Sequence, residues 1–534
     1  MHSAVRSVTR LTPGAGEIGA AAATVGALAC GWLIAAGHQD LVIACFAAAA
    51  ALVVARYWPG PFVALMVLVI MNGVPVVDLS TRIVGSFGIQ DCAVLALAAG
   101  LYGYRREIVG GRERRVARIA AIWSACFVAW WTITFARSVL LDGIPIRYAA
   151  SYGRDFLYFA ILLPFAVRAQ LPLRSVRHGA WLLMAGVVAF AVGQIGSSLS
   201  GHELSWLVHP NLTAETSGLL RLYSPMGAVV STALIFVAAW LLAGGVSRRR
   251  VPAAALVTLL AVSVALQLTR SNYAALIVAL VTGVAVYSIR GGSFTAVIVR
   301  VAMAVLVVTV AVIVLGTAKV GNSGIGGVAS RVAERAASGV SAVSNSSGTF
   351  GYRTHLDATM LHVLGSQWPI GLGFLDPTVH YVAGAPGGAI RNSDLGVFNA
   401  LMTMGVIGAL LIYAPLLYGF VELLRAAGSW RRVVGLSERR WIAYGGAAWI
   451  AWALFGSWNL VVLFSVTGLV VTALVLGWLA QATAMAHSGS VIMRRTPPAG
   501  ASPPSGPGTH VPVRHHKPVP GQTRTDDAIP TSDA

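Results

Sequence analysis

Long apolar stretches alternate with short polar connections over most of the chain. Many of these stretches approach the roughly 18 to 20 residues that a helix needs to cross about 30 Å of hydrocarbon. The pattern therefore predicts an all-α polytopic integral membrane protein with about fourteen transmembrane helices. The predicted spans are 18–37, 40–55, 61–79, 89–103, 119–136, 155–170, 179–196, 225–245, 251–267, 273–288, 294–315, 397–421, 441–455 and 460–483.

Arginine-rich connections orient these spans. With the N-terminus in the cytoplasm, the even-numbered connections are short and basic, as the positive-inside rule requires of cytoplasmic loops. They include YRREIVGGRERRVAR (104–118), RAQLPLRSVRH (168–178), SRRR (247–250) and LLRAAGSWRRVVGLSERR (423–440). The opposite connections hold few cations and are predicted to be external.

This orientation divides the chain into five parts. They are a cytoplasmic N-terminus (1–17), helices one to eleven (18–315), a large external loop (316–396), helices twelve to fourteen (397–483) and a cytoplasmic tail (484–534). The tail is rich in Pro and polar residues and cannot bury a core, so we expect it to be disordered.

Composition and charge narrow the class of protein. With 57% hydrophobic and only 11% charged residues, the chain differs from ordinary soluble proteins, of which about 25% is charged. The net charge of +19 is spread over many cytoplasmic loops, which argues against nucleic-acid binding. Of the 38 basic residues only Lys319 and Lys517 are lysines, and Ala, Gly and Val abound. That bias indicates a GC-rich genome, and hence the plasma membrane of a bacterium.

A second set of charges lies at the expected external ends of spans, where the positive-inside rule does not explain them. These residues are Arg221, Arg270, Arg353, Arg391 and Asp394. A lipid-diphosphate sugar donor exposes phosphates at that surface, and arginine binds phosphate oxygens bidentately. No Asp-x-Asp pair lies on an external loop and no cysteine has metal-site spacing. We therefore expect a metal-independent site without a cofactor, in which Asp394 is the candidate base.

Four short segments carry a resemblance to a known family. They are RLYSPMGAVVSTAL (221–234), LTRSNYAALIVAL (268–280), QWPIGLGF (367–374) and MGVIG (404–408). Their order and spacing resemble the O-antigen ligase and O-antigen polymerase superfamily of bacterial membrane glycosyltransferases, over roughly 205–425. In this resemblance Arg221 matches an arginine at a helix start, and Arg270 stands close to the cation of a helix–helix turn. Asp394 stands where the ligases carry a histidine, which is more similar to the polymerases.

The resemblance implies a fold of the GT-C type and a function. A glycan would pass from a polyprenyl-diphosphate carrier to a glycan or lipid-glycan acceptor at the external face of the membrane. Whether the reaction is that of a polymerase or of a ligase stays open.

Each candidate residue also has a structural interpretation. Arg221 and Arg270 could anchor their turns at the headgroup level, and Arg353 could be a solvated loop charge. Arg391 could pair with Asp394, and Asp394 could cap the helix that follows it. In that case His355 or Asp357 would be the next candidate for the base. Gly405 and Gly408 are expected to let a neighbouring helix approach the twelfth span.

Another class of function is compatible with many spans. A lipid-linked sugar flippase or another transporter also has many helices, although transporters place ionisable groups near the bilayer midplane and often contain internal repeats. Here nearly all charges lie at span ends and no repeat is visible. The sequence favours the enzyme over the transporter and over an assembly protein.

The orientation can be tested by cysteine labelling. In a variant without its four native cysteines, Ile325→Cys and Ala385→Cys should react with a membrane-impermeant maleimide in intact cells, whereas Gly435→Cys should not. Labelling of position 435 alone would overturn the external placement of the candidate site.

Overall fold

A computed structural model describes most of the helical part of the chain. The described residues are 53–73, 82–84, 87–105, 111–204, 212–216, 219–243, 250–267, 269–289, 361–374, 380–382, 385–386, 396–430, 440–459 and 465–495, with the single positions 295 and 358.

Helices account for nearly all of this structure. They are α1 (Pro59–Ile70), α2 (Ile89–Gly103), α3 (Gly111–Leu140), α4 (Ile146–Arg168), α5 (Leu173–Ser200), α6 (Met226–Leu242), α7 (Arg250–Leu266), α8 (Arg270–Ile289), α9 (Val397–Trp430), α10 (Arg440–Asn459) and α11 (Val466–Arg495). Three two-stranded antiparallel hairpins join them: β1 (Arg82–Val84) with β2 (Phe87–Gly88), β3 (Leu212–Thr216) with β4 (Leu219–Tyr223), and β5 (His380–Val382) with β6 (Ala385–Pro386). The predicted helical class is confirmed, and the hairpins are additions to it.

Among the described residues, four helices are long and apolar enough to cross a membrane. They are Gly111–Leu140, Arg174–Ser200, Ser271–Ser288 and Val397–Ala427. Five shorter apolar helices accompany them in the described part of the chain. The total of about fourteen spans stays a prediction, because the first and eleventh predicted spans and most of the second lie outside the described residues.

Some boundaries differ from the predicted ones. Helix α3 begins at Gly111, so part of the connection predicted at 104–118 is helical, and α4 begins at Ile146, before the predicted span start at 155. Helix α11 continues past the predicted span end at 483 to Arg495. In α3 the arginine-rich segment extends the helix beyond its apolar stretch, as basic residues with good helix propensity can.

From α1 to α8, consecutive helices run in opposite directions, so the start of one helix lies at the same end of the bundle as the end of the one before it. At one end, Gly60 at the start of α1 donates its amide to Ser175 Oγ at the start of α5 (2.7 Å), and Arg112 at the start of α3 pairs with Glu422 of α9. A β-bridge also joins Arg105, after α2, to Ala169, after α4. We name this the Arg112 end.

The opposite end is the one at which α3 stops and α4 starts, and we name it the Arg137 end. There Gln90 of α2 donates to the Ile70 carbonyl of α1 (2.9 Å). Ser198 of α5 donates to the Leu220 carbonyl of β4 (2.9 Å). The starts of α6, α8 and α9 belong to the same end. The connections predicted to be cytoplasmic flank the Arg112 end, so the expected external face is the Arg137 end.

Helix α9 is broken at Gly405. Its backbone angles there are φ 66° and ψ −170°, a region open essentially only to glycine. The expectation that Gly405 admits a neighbouring helix was wrong, because a turn fills the break instead. That turn spans 367–374, and a Cβ on Gly371 would lie 2.5 Å from the Gly405 amide nitrogen.

The turn at 367–374 replaces the hydrogen bonds that the break removes from α9. On one side, the amides of Leu372 and Gly373 donate to the carbonyls of Met402 (2.6 Å) and Thr403 (3.0 Å). On the other side, the amides of Val406 and Ile407 donate to the carbonyls of Trp368 (3.0 Å) and Pro369 (3.4 Å). Unpaired backbone groups cost several kcal/mol each in an apolar medium, so turn and break stabilise one another.

Helix α3 supplies donors to the other interruptions. Pro164 inside α4 has no N–H, so the Ala160 carbonyl one turn earlier lacks its helical donor. The Ser124 hydroxyl donates to that carbonyl at 2.6 Å. Pro415 likewise deprives the Leu411 carbonyl of α9 of its helical donor. The Trp123 indole donates to that carbonyl at 2.7 Å.

A second indole of α3 donates a hydrogen bond at the break itself. Trp130 Nε1 donates to the Met404 carbonyl at 3.0 Å, immediately before Gly405. Helix α3 is therefore fixed against both α4 and α9 by hydrogen bonds at their irregular positions.

Replacing Ser124 and Pro164 singly and together should show that the Ser124 hydroxyl compensates for the missing N–H of Pro164. Ser124→Ala leaves the Ala160 carbonyl unpaired, whereas Pro164→Ala restores the amide that would satisfy it. We expect the two substitutions to be coupled by about 0.6–1.7 kcal/mol, the range measured for hydrogen bonds between membrane helices. The free energy of unfolding of the four variants in mixed micelles gives this coupling.

Thr132→Ala provides the matched control. Its hydroxyl donates to the Val128 carbonyl within α3 (2.8 Å), so its effect should add to that of Pro164→Ala. Additive effects of Ser124→Ala and Pro164→Ala would contradict the compensation.

Candidate functional site at the Arg137 end

The turn before α8 is held by a buried amide. Asn272 Nδ2 donates to Ser231 Oγ of α6 (3.2 Å) and to Gln267 Oε1 after α7 (3.2 Å), and Trp452 Nε1 of α10 donates to Asn272 Oδ1 (2.9 Å). Both N–H groups of the Asn272 side-chain amide and one lone pair of its oxygen are thus hydrogen-bonded. Asn272 joins four elements and fixes the turn that carries Arg270 two residues earlier.

Arg221 lies in the hairpin that precedes α6. In the β3–β4 register it faces Ala214, and its neighbour Leu222 is buried. Gly227, at the start of α6, lies directly against the Gln267 side chain. The described structure therefore brings the backbones of Arg221 and Arg270 to neighbouring elements of one end, while both side chains lie outside the described part.

The remaining predicted site residues lie outside the described residues. They are Arg353, Arg391 and Asp394, with the reserve candidates His355 and Asp357. The chain enters the described part at Gly396, which is buried and whose carbonyl accepts the Asn399 amide at 3.0 Å. The buried Asn399 side chain accepts a hydrogen bond from the Tyr152 hydroxyl of α4. The start of α9, three residues beyond Asp394 in the sequence, is thus fixed at the Arg137 end.

An ionic cluster missed by the sequence analysis lies beside these elements. Asp91 at the start of α2 is 2% exposed. Arg154 Nη1 lies 2.9 Å from Asp91 Oδ2, and the Tyr158 hydroxyl donates to Asp91 Oδ1 at 2.9 Å. The Gly88 amide also donates to Asp91 Oδ2 (2.7 Å), which satisfies an amide at the helix start. A buried carboxylate with this many donors holds α2 against α4.

A second cluster fixes the 367–374 turn. Arg137 Nη1 donates to the Gly371 carbonyl (2.6 Å) and Nη2 to Gln367 Oε1 (2.9 Å), while Arg137 Nε lies 3.8 Å from Asp142 Oδ2. Charge-assisted hydrogen bonds of this kind are about twice as strong as neutral ones.

The end of the same turn is anchored by an aromatic side chain. The Phe374 amide donates to Ser138 Oγ at 2.7 Å. The Phe374 ring is fully buried among Trp131, Phe135 and Tyr152, with ring centroids 5.8, 6.5 and 6.0 Å away. Helices α3 and α4 therefore clamp the turn that fills the break in α9.

These clusters have structural roles. The Arg137 guanidinium donates hydrogen bonds to protein oxygens, and the Arg154 guanidinium neutralises the Asp91 carboxylate. A sequence signal for them existed, because Asp91 is an acidic residue in an apolar span and Arg137 and Arg154 lie outside the predicted cytoplasmic loops. Their partners are remote in sequence, so only the fold pairs them.

The comparisons with known proteins add no identity. No protein-family model matches the chain, and no curated protein matches it. In the described part of the chain, no group of three or more His, Cys, Asp or Glu side chains is arranged to hold a metal ion.

Proposed function

We propose that the chain is a membrane glycosyltransferase of the O-antigen ligase and polymerase kind. It would take a glycan from a polyprenyl-diphosphate carrier and pass it to a glycan or lipid-glycan acceptor at the external face of a bacterial plasma membrane. The proposal includes about fourteen spans and a fold of the GT-C type.

One observation carries the proposal. Three segments that are distant in sequence meet the same end of the bundle: the β4–α6 junction with Arg221, the α7–α8 turn with Arg270, and the start of α9 just after Asp394. Each is held by hydrogen bonds that are buried or partly buried, and preorganised groups are what electrostatic catalysis requires. Their position at one end of the bundle is what a common site requires.

The proposed chemistry assigns a role to each group. Arg221, Arg270, Arg353 and Arg391 would bind the diphosphate and stabilise the charge that develops on it as the glycosidic C–O bond breaks. Asp394 would accept the proton of the acceptor hydroxyl as its oxygen bonds to the anomeric carbon. The diphosphate leaves on its lipid, and no cofactor takes part.

A flippase is the second candidate, since an apolar helical bundle suits it as well. Purified protein in liposomes with a polyprenyl-diphosphate glycan and an acceptor separates the two functions. Transfer gives a longer or newly attached glycan, whereas a flippase moves the unchanged donor between leaflets. Movement of the donor without any product would overturn the enzymatic proposal.

The proposed role of Arg270 as a phosphate ligand can be tested by substitution. A charge-assisted phosphate contact contributes roughly 1.5–3 kcal/mol, so Arg270→Ala should slow transfer by about 10- to 100-fold with normal membrane insertion. Arg270→Lys should restore only part of the rate, because an ammonium lacks the guanidinium fork. Arg177→Ala, at an exposed position of the Arg112 end, should leave the rate unchanged. Wild-type transfer by Arg270→Ala would favour the turn anchor.

Substitution can distinguish whether Asp394 acts as the base or only caps the helix. Asn caps a helix about as well as Asp, but it does not accept a proton at neutral pH. Asp394→Asn should therefore keep the thermal stability and lose about 10²- to 10⁴-fold in transfer rate. Asp394→His should retain part of the rate, since the related ligases carry histidine there.

The neighbouring Ser393→Ala is the control for local disturbance, and it should transfer normally. If Asp394→Asn transfers glycan at the wild-type rate, the carboxylate is only a cap, and His355 or Asp357 becomes the candidate base.

A further inference from the structure

An apolar groove opens between four helices toward the Arg112 end. Helices α3, α4, α9 and α11 line this groove, whose cavity volume is about 280 Å³. Its walls include Ile119 and Trp123 of α3, Leu163 of α4, Pro415 of α9 and Ala480 of α11. The Pro415 interruption lies in its wall. A groove of this character inside a membrane is filled by something apolar, and its walls alone do not select the occupant.

The mouth of the groove is charged. Glu422 of α9 lines it, and its two carboxylate oxygens bind Arg112 of α3 and Arg425 of α9. Arg115 is exposed, and with Arg112 and Arg425 it lies close enough to the lining residue Tyr418 to act on it electrostatically. Two guanidinium groups thus bind the one carboxylate and a third, that of Arg115, lies near Tyr418, which leaves an excess of positive charge where the apolar groove meets the expected cytoplasmic surface.

We propose that this groove binds an anionic phospholipid of the inner leaflet. One acyl chain would lie in the groove, and the phosphate would lie among Arg112, Arg115 and Arg425. Basic pockets between transmembrane helices on the cytoplasmic side suit anionic headgroups, and each nearby cation contributes about fivefold in affinity. This site is separate from the proposed reaction, which takes place at the Arg137 end.

A second apolar groove serves as a comparison for the one beside Glu422. Helices α6, α8 and α10 line a groove with a cavity volume of about 230 Å³, whose walls include Ala238, Gly283 and Tyr287. No charged side chain is among its described lining residues. Both grooves can hold a chain, and only the first offers cations to a phosphate.

Native mass spectrometry of the full chain tests the proposal. The detergent-solubilised protein is titrated with phosphatidylglycerol and with phosphatidylcholine of identical acyl chains. We expect phosphatidylglycerol to bind at least fivefold more tightly. Arg115→Gln should weaken it by about fivefold, whereas Arg114→Gln, also exposed on α3 but not among the cations near Tyr418, should not.

Occlusion of the groove tests the position of the chain. Ala480→Phe should reduce the bound phosphatidylglycerol at least tenfold, and Ala238→Phe in the second groove should leave it unchanged. Equal binding of both lipids, or binding insensitive to both Arg115→Gln and Ala480→Phe, would show adventitious lipid only and overturn the proposal. Displacement of phosphatidylglycerol by an equimolar polyprenyl phosphate would also overturn it, by identifying the groove with a carrier chain.

Discussion

The structure depends on the need to pair backbone groups where helices are interrupted in apolar surroundings. A carbonyl or amide left unpaired there costs several kcal/mol. Pro164, Gly405 and Pro415 each remove helical hydrogen bonds. Ser124, Trp130 and Trp123 of α3 donate to carbonyls at these three places. Helix α3 therefore has one position against α4 and α9, since a shift by one residue would leave several carbonyls unpaired at once.

This constraint extends to the candidate site. The 367–374 turn supplies the hydrogen bonds missing at Gly405, and it is held in turn by Arg137, Ser138 and the buried ring of Phe374. The start of α9 follows from the same set of contacts. Asp394 lies three positions before that start in the sequence and is itself outside the described residues. Arg137 and Arg154 belong to this set of contacts, because their guanidinium groups bind protein oxygens.

The two ends of the bundle use charge differently. At the Arg137 end the described carboxylate of Asp91 is buried and fully paired, and the paired groups stabilise the contacts between helices. At the Arg112 end, Arg112 and Arg425 bind the carboxylate of Glu422 beside an apolar groove. The first arrangement organises a surface, and the second offers a place for an anionic headgroup. Helix α9 runs between them, with Gly405 near one and Pro415 in the wall of the other.

The sequence by itself determined the helices, their approximate limits and their alternation. The predicted spans 89–103 and 251–267 match α2 and α7 closely, because the length of an apolar run is a local property that hydrocarbon burial fixes directly. Tertiary structure decided the break at Gly405, the pairing of Asp91 with Arg154 and the role of Asn272. A glycine or an asparagine has the same local pattern whether it continues a helix or interrupts and joins helices. Only partners that are 180 or more residues away, such as Trp130 for Met404 and Trp452 for Asn272, determine which hydrogen bonds are available.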